Sequence, residues 1–292
     1  MTTKTRTALA LTALMTASFA TVAAPLTLDV YNPGEKSIFP VSSEIISGKN
    51  EVVLIDAQFQ KDDALALVDK IRATGKTLTT IYISHSDPDF YFGLDELKKA
   101  FPDAKIVATQ QTVDLIKESK DGKLAYWGPV LKENAPQSVI VPEPLKGNRI
   151  LLEGESIVIE GLDGPAPERS YVWVPSLSAV MGGVLVSENI HVWLADTQTP
   201  QSRQYWQQSL KEMQAKKPHT VVPGHYTGDS HFSPATIQFT ADYLTRAEAA
   251  LPDSKDSQAL IDTMKAAYPA LADESSLELS AKVLKGEMQW PQ

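Results

Sequence analysis

The sequence contains no cysteine. That one absence excludes a disulfide, a thiolate nucleophile and a thiolate metal ligand, so any metal must be held by histidine, aspartate or glutamate. Histidine itself is scarce, five in 292 residues, and each can be weighed singly. Positive charge is also short: 27 Lys and Arg against 36 Asp and Glu give a net charge of −9, with no basic run. Nucleic acid and an anionic membrane surface are therefore not expected as partners. No Gly-x-Ser-x-Gly elbow occurs, and with no thiol present a covalent-nucleophile hydrolase is disfavoured. Beyond the first residues there is no long apolar run, so no membrane span is expected. What remains is a small-molecule substrate; the oligomeric state is left open.

What is present fits a globular protein with a sizeable core: 43% hydrophobic and 22% charged residues over a length that suits one large domain. The N-terminus reads differently. "MTTKTR" is positively charged, "TALALTALMTASFATV" is apolar and built of small residues, and "VAAP" offers a cleavage site. This order predicts a secretory signal peptide over residues 1–23, a mature domain over 24–292, and a periplasmic or secreted location. Cleavage after Ala23 or Ala24 fits; Ala23 avoids leaving Pro25 first.

Along the mature chain, "LTLDVYN" alternates as a strand, and "EVVLIDAQF" reads as a buried strand ending at Asp56. "DDALALVDKIRATG" has acids at its start and Gly75 at its end, so it predicts a helix. "LTTIYISHSD" is a strand, "GLDELKKAF" a short helix, "AKIVAT" a strand and "QQTVDLIKES" a helix. That succession signals a sheet with helical crossovers. "RILLEGESIVIEGL" predicts a hairpin, and "SYVWVPS", "AVMGGVLV" and "HVWLAD" predict further strands. "SRQYWQQSLKEMQAKK" places Trp206, Leu210 and Met213 on one helical face. "HTVVPGHY" is a strand running into a loop, and the chain from Pro234 predicts two or three amphipathic helices. No repeat or linker is evident, so the two halves are expected to be layers of one domain.

The stretch "ISHSDPDFYFG" carries the chemistry. If "HSDPD" stays extended, the strand period of two points His85, Asp87 and Asp89 the same way. One imidazole and two carboxylates would then converge at a strand end, where a cation relieves their repulsion. The same residues also suit a solvated Asx-turn loop. Two later segments add ligand types just past a strand: Asp196 in "VWLADTQT", and His225 in "VVPGHYTG", where Gly224 allows close backbone approach. His219 reads as surface, His191 as packing, and His231 lies within loop reach of the site.

The order "EVVLIDAQF", "ISHSDPDFYFG", "HVWLADTQT", "VVPGHY" resembles the metallo-β-lactamase-fold superfamily from about Ser42 to Tyr226, in an exported branch with an H-x-D-P-D-F variant of the family motif. The resemblance implies a four-layer αββα sandwich with C-terminal helices and a metal centre at one edge. The family pattern is an early Asp, then H-x-H-x-D-H, a further His, a bridging Asp and a last His. By that resemblance Asp56 matches the early, mainly structural Asp. The metal ligands are His85, Asp87 in place of the second His, Asp89, the bridging Asp196 and the final His225. Phe90 replaces a ligand His, and Ala166, counted back from Ser170, stands where the middle His belongs; Asp163 or Glu168 are open substitutes. Each of two family sites has lost one imidazole, so one or two divalent ions are expected. Zinc is the ion the family implies first, with manganese or iron as alternatives because the set is carboxylate-rich.

The expected activity is metal-dependent hydrolysis of an ester, lactone or related bond. A metal-activated water would attack, with Asp89 as the group that orients it and moves its proton. The competing expectation is a non-catalytic or metal-depleted binding protein on the same fold, the history that lost ligands would leave. Replacement of one ligand by another at Asp87 favours the enzyme. The aromatic residues near the motifs, Phe90, Tyr91, Phe92, Trp173, Trp193 and Tyr226, suit either an apolar pocket or the core.

Overall fold

The computed structural model describes residues 25–290, so the expected signal peptide lies outside the described residues. An antiparallel meander opens the fold: β1 (Thr27–Tyr31), β2 (Ser43–Ser47) and β3 (Glu51–Ile55). Helix α1 (Lys61–Ala73) then crosses to β4 (Thr77–Ile83), which lies parallel to β3. The short α2 (Pro88–Tyr91) and α3 (Leu94–Ala100) lead to β5 (Lys105–Ala108), and α4 (Gln110–Leu131) leads to β6 (Glu143–Pro144), both strands parallel. The result is a six-stranded sheet in sequential order.

A second sheet follows from β7 (Arg149–Leu152), β8 (Glu155–Glu160), β9 (Tyr171–Val174) and β10 (Ala179–Met181), all antiparallel. The expected hairpin turns through Glu153 and Gly154, both at positive φ, as a tight two-residue turn requires. β11 (Ser187–Glu188) leaves this sheet. Beyond α5 (Pro200–Ala215), β12 (Thr220–Val221) rejoins it parallel to β10, and β13 (His225–Tyr226) pairs with β11. Helices α6 (Ala235–Ala250), α7 (Ser257–Ala267) and α8 (Glu274–Leu284) complete the chain.

Strand periodicity sorts the apolar side chains into layers. On β2 and β3, Ile46, Val53 and Ile55 face the second sheet, where they meet Ile157, Ile159, Val172 and Val174. Their neighbours Ile45 and Leu54 face outward, onto Leu67 and Ile71 of α1 and Leu97 of α3. The outer face of the second sheet packs Val180 and Val221 against Trp206, Leu210 and Met213 of α5, with Leu244, Leu260 and Leu277 behind. Each such side chain contributes about 1.5–3 kcal/mol on burial. Helix, sheet, sheet, helix is the expected four-layer αββα sandwich with C-terminal helices.

Three elements differ from the sequence expectation. β4 ends at Ile83, so "HSDPD" is not an extended continuation. "HVWLAD" forms no strand; its backbone bonds the C-terminal region instead, His191 N–H to Ala272 O and Leu194 N–H to Ser280 Oγ. Helix α4 does not stop near Ser119 but continues through Gly122, Gly128 and Pro129. Packing overrides propensity here: Trp127 sets its ring edge-on to Phe39 and Phe59, at 5.2 and 5.4 Å between centroids.

One buried group stands out between the sheets. Glu44 on β2 is fully buried, and neither carboxylate oxygen has a hydrogen-bond partner. Burial, and then the nearby Asp56 charge, push its pKa well above the ordinary carboxylate range. The folded state therefore keeps a proton that the unfolded chain releases, so stability falls as pH rises above the unfolded value. Wild type and Glu44→Gln should have similar melting temperatures at acid pH. The Gln variant should become the more stable as pH rises, as thermal melts from pH 4 to 9 would show. A gap that stays constant with pH would show that Glu44 is ionised in the fold.

Candidate active site

The candidate site starts from a bracket at the end of β3. Asp56 is buried and adopts a positive φ of 60°. Its Oδ1 accepts the Ser84 N–H at 2.7 Å and its Oδ2 accepts the Ser84 hydroxyl at 2.6 Å. Ser84 Oγ in turn accepts the Gly183 N–H, at 2.8 Å, from the second sheet's chain. Burial pushes the Asp56 carboxyl up to about 7, against the lowering by Ser84 and with a further push from Asp89. Asp56 thus fixes the loop that follows β4 and bonds no other acidic or imidazole group.

From that bracket the loop delivers its side chains in two directions. Asp87 is extended, ψ 145°, as a residue before proline must be. Pro88 then opens α2, since proline suits the first helical position. Asp89 therefore sits in a helical turn, and the expected every-second-residue array is not formed. His85 and Asp87 turn toward each other: His85 Nδ1 accepts the Asp87 N–H at 3.3 Å and lies 3.3 Å from Asp87 Oδ2. Asp87 Oδ1 accepts from Lys123 Nζ at 3.0 Å, and the same ammonium donates to Ser86 O at 2.8 Å. Burial alone would push the Asp87 carboxyl up, but His85 and then Lys123 hold it well below the ordinary range.

Asp89 turns the other way, to His225 on β13, with Oδ2 and Nε2 2.6 Å apart. Burial would lower the His225 pKa; the bond to Asp89 outweighs it and raises the imidazole above its usual value. Gly224 permits this placement, because a Cβ there would stand 1.9 Å from Gly183 O. Phe90 is fully buried with its ring between the two imidazoles, centroids 5.5 Å from His85 and 5.4 Å from His225, edge to face with both.

Asp196 lies on the irregular segment, where burial and then the charge of nearby Asp87 raise its pKa. Its Oδ2 accepts the Trp193 indole N–H at 2.6 Å and its Oδ1 that of Trp290 at 2.7 Å. The two indoles meet edge to face at 5.3 Å, and Gln198 donates to Trp290 O at 2.7 Å. Arg169, half-buried, lays its guanidinium 4.3 Å over the Trp206 ring. Burial lowers its pKa, while the charges of Asp196 and Asp87 act in the opposite sense.

Asp163 lines an exposed cleft with Glu160, Gln208 and Glu212, and Glu168 sits in the half-buried turn Pro167–Arg169. His219 and His231 are exposed, and His191 is buried with Nδ1 3.0 Å from the Tyr243 hydroxyl. Phe90, Tyr91, Phe92 and Tyr226 are buried, so most of the motif aromatics belong to the core.

Two imidazoles and three carboxylates are suitable donors for a divalent ion. Their arrangement is not. They stand as a His85–Asp87 pair, an Asp89–His225 pair and an Asp196 whose two oxygens are capped by indole N–H groups. Among the described residues no three His, Asp or Glu side chains form a group able to hold an ion. As placed here, the residues do not fit the expected metal centre. Sequence reasoning missed Lys123, Arg169 and Trp290. Nothing local to Lys123 or Trp290 signals that either reaches the site, and Arg169 lies three residues past the position scanned for a histidine.

Comparison with known proteins points one way. The model of the metallo-beta-lactamase superfamily matches residues 38–225. The uncharacterized protein YobT of Bacillus subtilis (strain 168) is 28% identical over 126 residues, 41% of this chain and 50% of YobT, so the match spans half of that protein's length. A metallo-beta-lactamase family protein from Thermus thermophilus aligns over 90% of this chain and 92% of its own, with a TM-score of 0.61 and 16% identity. A metallo-beta-lactamase from Pontibacter korlensis aligns over 77% of this chain and 97% of its own, with a TM-score of 0.56 and 17% identity. At these identities the two structures speak for the fold.

Phe90 is the residue whose replacement tests the second half of the site. Phe90→His would put a third donor beside Asp89 and His225, in a volume that a larger ring now fills. Elemental analysis after dialysis against zinc should find about one more ion per chain than in wild type. No gain would show that Phe90 is not what limits this position.

Proposed function

We propose, since the chain belongs to the metallo-beta-lactamase superfamily, that it is an exported hydrolase of a small-molecule ester, lactone or related bond. Membership of that superfamily points to metal-dependent hydrolysis. Because the donors do not fit an ion as placed, the step assigned to this chain's residues runs through Asp89 and His225. Their 2.6 Å contact is the observation that carries the reading.

A carboxylate bound to one imidazole nitrogen fixes the tautomer and raises the basicity of the other. With Nε2–H donated to Asp89, Nδ1 is the nitrogen able to take a proton from water. The water oxygen bonds the carbonyl carbon, and the resulting tetrahedral intermediate expels an alkoxide. The imidazolium returns its proton to that alkoxide. The assignment of Asp89 changes accordingly, from a group that acts on water to one that positions His225. The proposed export rests on the N-terminal segment alone, and sequencing the N-terminus of the protein from the periplasmic fraction tests it; a chain that retains Met1 would refute it.

A second reading, a metal-depleted binding protein, is favoured by one observation. Asp87 and Asp196, expected as ligands, are engaged by Lys123 and by two indoles. Turnover separates the two. Against a panel of aryl esters and lactones, Asp89→Asn should lower kcat by about 10²–10⁴-fold, the range for loss of general base assistance. The sign of the pH effect is also fixed. Asp89 raises the His225 pKa, so the rate should rise with pH as His225 loses its proton, and in Asp89→Asn the residual rise should move to lower pH. Ligand binding without turnover in wild type would favour the second reading.

A further inference from the structure

The carboxylates expected as metal ligands need compensating charge or donors, and for Asp87 and Asp196 the chain itself supplies them. Lys123 reaches Asp87 from α4, 36 residues away in sequence, and its ammonium bonds both the carboxylate and the Ser86 carbonyl. It arrives only because α4 runs past Gly122 to Leu131, held there by Trp127 one turn on. Asp196 has both oxygens filled by indole N–H groups, one of them from Trp290, 94 residues away. The charges of Asp87 and Asp196 both act on Arg169, which lies against Trp206.

We infer that the position bounded by His85, Asp87 and Asp196 is self-occupied: Lys123 is its resident cation and Trp290 its resident donor, and a divalent ion and these two groups exclude each other. An ion bound to Asp87 Oδ1 would face an ammonium already within 3.0 Å of that atom, a like-charge contact that one of them must leave. An ion bound to either oxygen of Asp196 would have to displace an indole N–H. The His85–Asp87 pair, also expected to hold an ion, is preserved as the acceptor side of an internal ion pair. The exclusion holds whether or not the chain hydrolyses anything.

The test measures metal and stability, not turnover. Lys123→Met keeps the apolar stem and removes the cation; Trp290→Phe keeps an aromatic ring and removes the donor. Wild type, both single variants and the double variant are titrated with Zn²⁺ and Mn²⁺ by calorimetry. Each is also melted with EDTA and with Zn²⁺. We expect the wild-type melting temperature to be indifferent to EDTA. Lys123→Met should gain about tenfold or more in Zn²⁺ affinity and a Zn²⁺-dependent rise in melting temperature. The double variant should bind more tightly still, and adding His85→Ala should abolish the gain. Tight Zn²⁺ binding by wild type that Lys123→Met leaves unchanged or weakens would overturn the inference. Should Lys123→Met fail to fold, Trp290→Phe, which leaves α4 unaltered, still decides it. A gain in Zn²⁺ affinity over wild type supports the inference, and no gain refutes it.

Discussion

The site depends on one buried carboxylate. Asp56 takes two hydrogen bonds from Ser84 within 2.7 Å, and Ser84 takes one from Gly183. These three residues come from the end of β3, the end of β4 and the turn beyond β10, so the bracket joins both sheets at one edge. A strained positive φ at Asp56 is the cost of aiming its side chain across the strand end. The same turn sets Gly183 O against Gly224, and the Gly224 carbonyl accepts the Ser42 N–H. Through these contacts the loop bearing His85, Asp87 and Asp89 is fixed relative to the strand bearing His225.

What the bracket positions is charge, and the chain resolves that charge by pairing. Asp87 meets Lys123 and His85, Asp89 meets His225, and Asp196 meets two indoles. A partly buried carboxylate without a partner would be costly, so each pairing is favourable by itself. The pairings are also mutually exclusive with three-donor coordination, because they turn Asp87 and Asp89 toward different partners. Phe90 separates the two imidazoles and lets each settle with its own carboxylate.

The succession of strands and helices was legible in the sequence from its apolar runs, whose two-sided burial produces the Ile-Ile and Val-Val pairs of β2 and β3, whereas the four-layer sandwich was implied by the family resemblance. The candidate residues were legible too, as polar types at the ends of apolar runs. The strand assigned to "HVWLAD" was not, since its hydrogen bonds go to residues 272 and 280, which no local window contains. The end of α4 was misplaced for a related reason. Gly122, Gly128 and Pro129 are breakers by propensity, and only the packing of Trp127 and Leu131 carries the helix through them.

By itself the sequence determined that the chain has no thiol chemistry, that it alternates sheets with helices in a family order, and which imidazoles and carboxylates follow apolar runs. These are local properties of composition and periodicity, and they survive any arrangement in space. Tertiary structure alone decided which carboxylate meets which partner. Asp87 to Lys123, Asp89 to His225 and Asp196 to Trp290 span 36, 136 and 94 residues. At such separations, partners are chosen by how layers and helices pack, and a pattern along the chain does not encode that choice in any readable form.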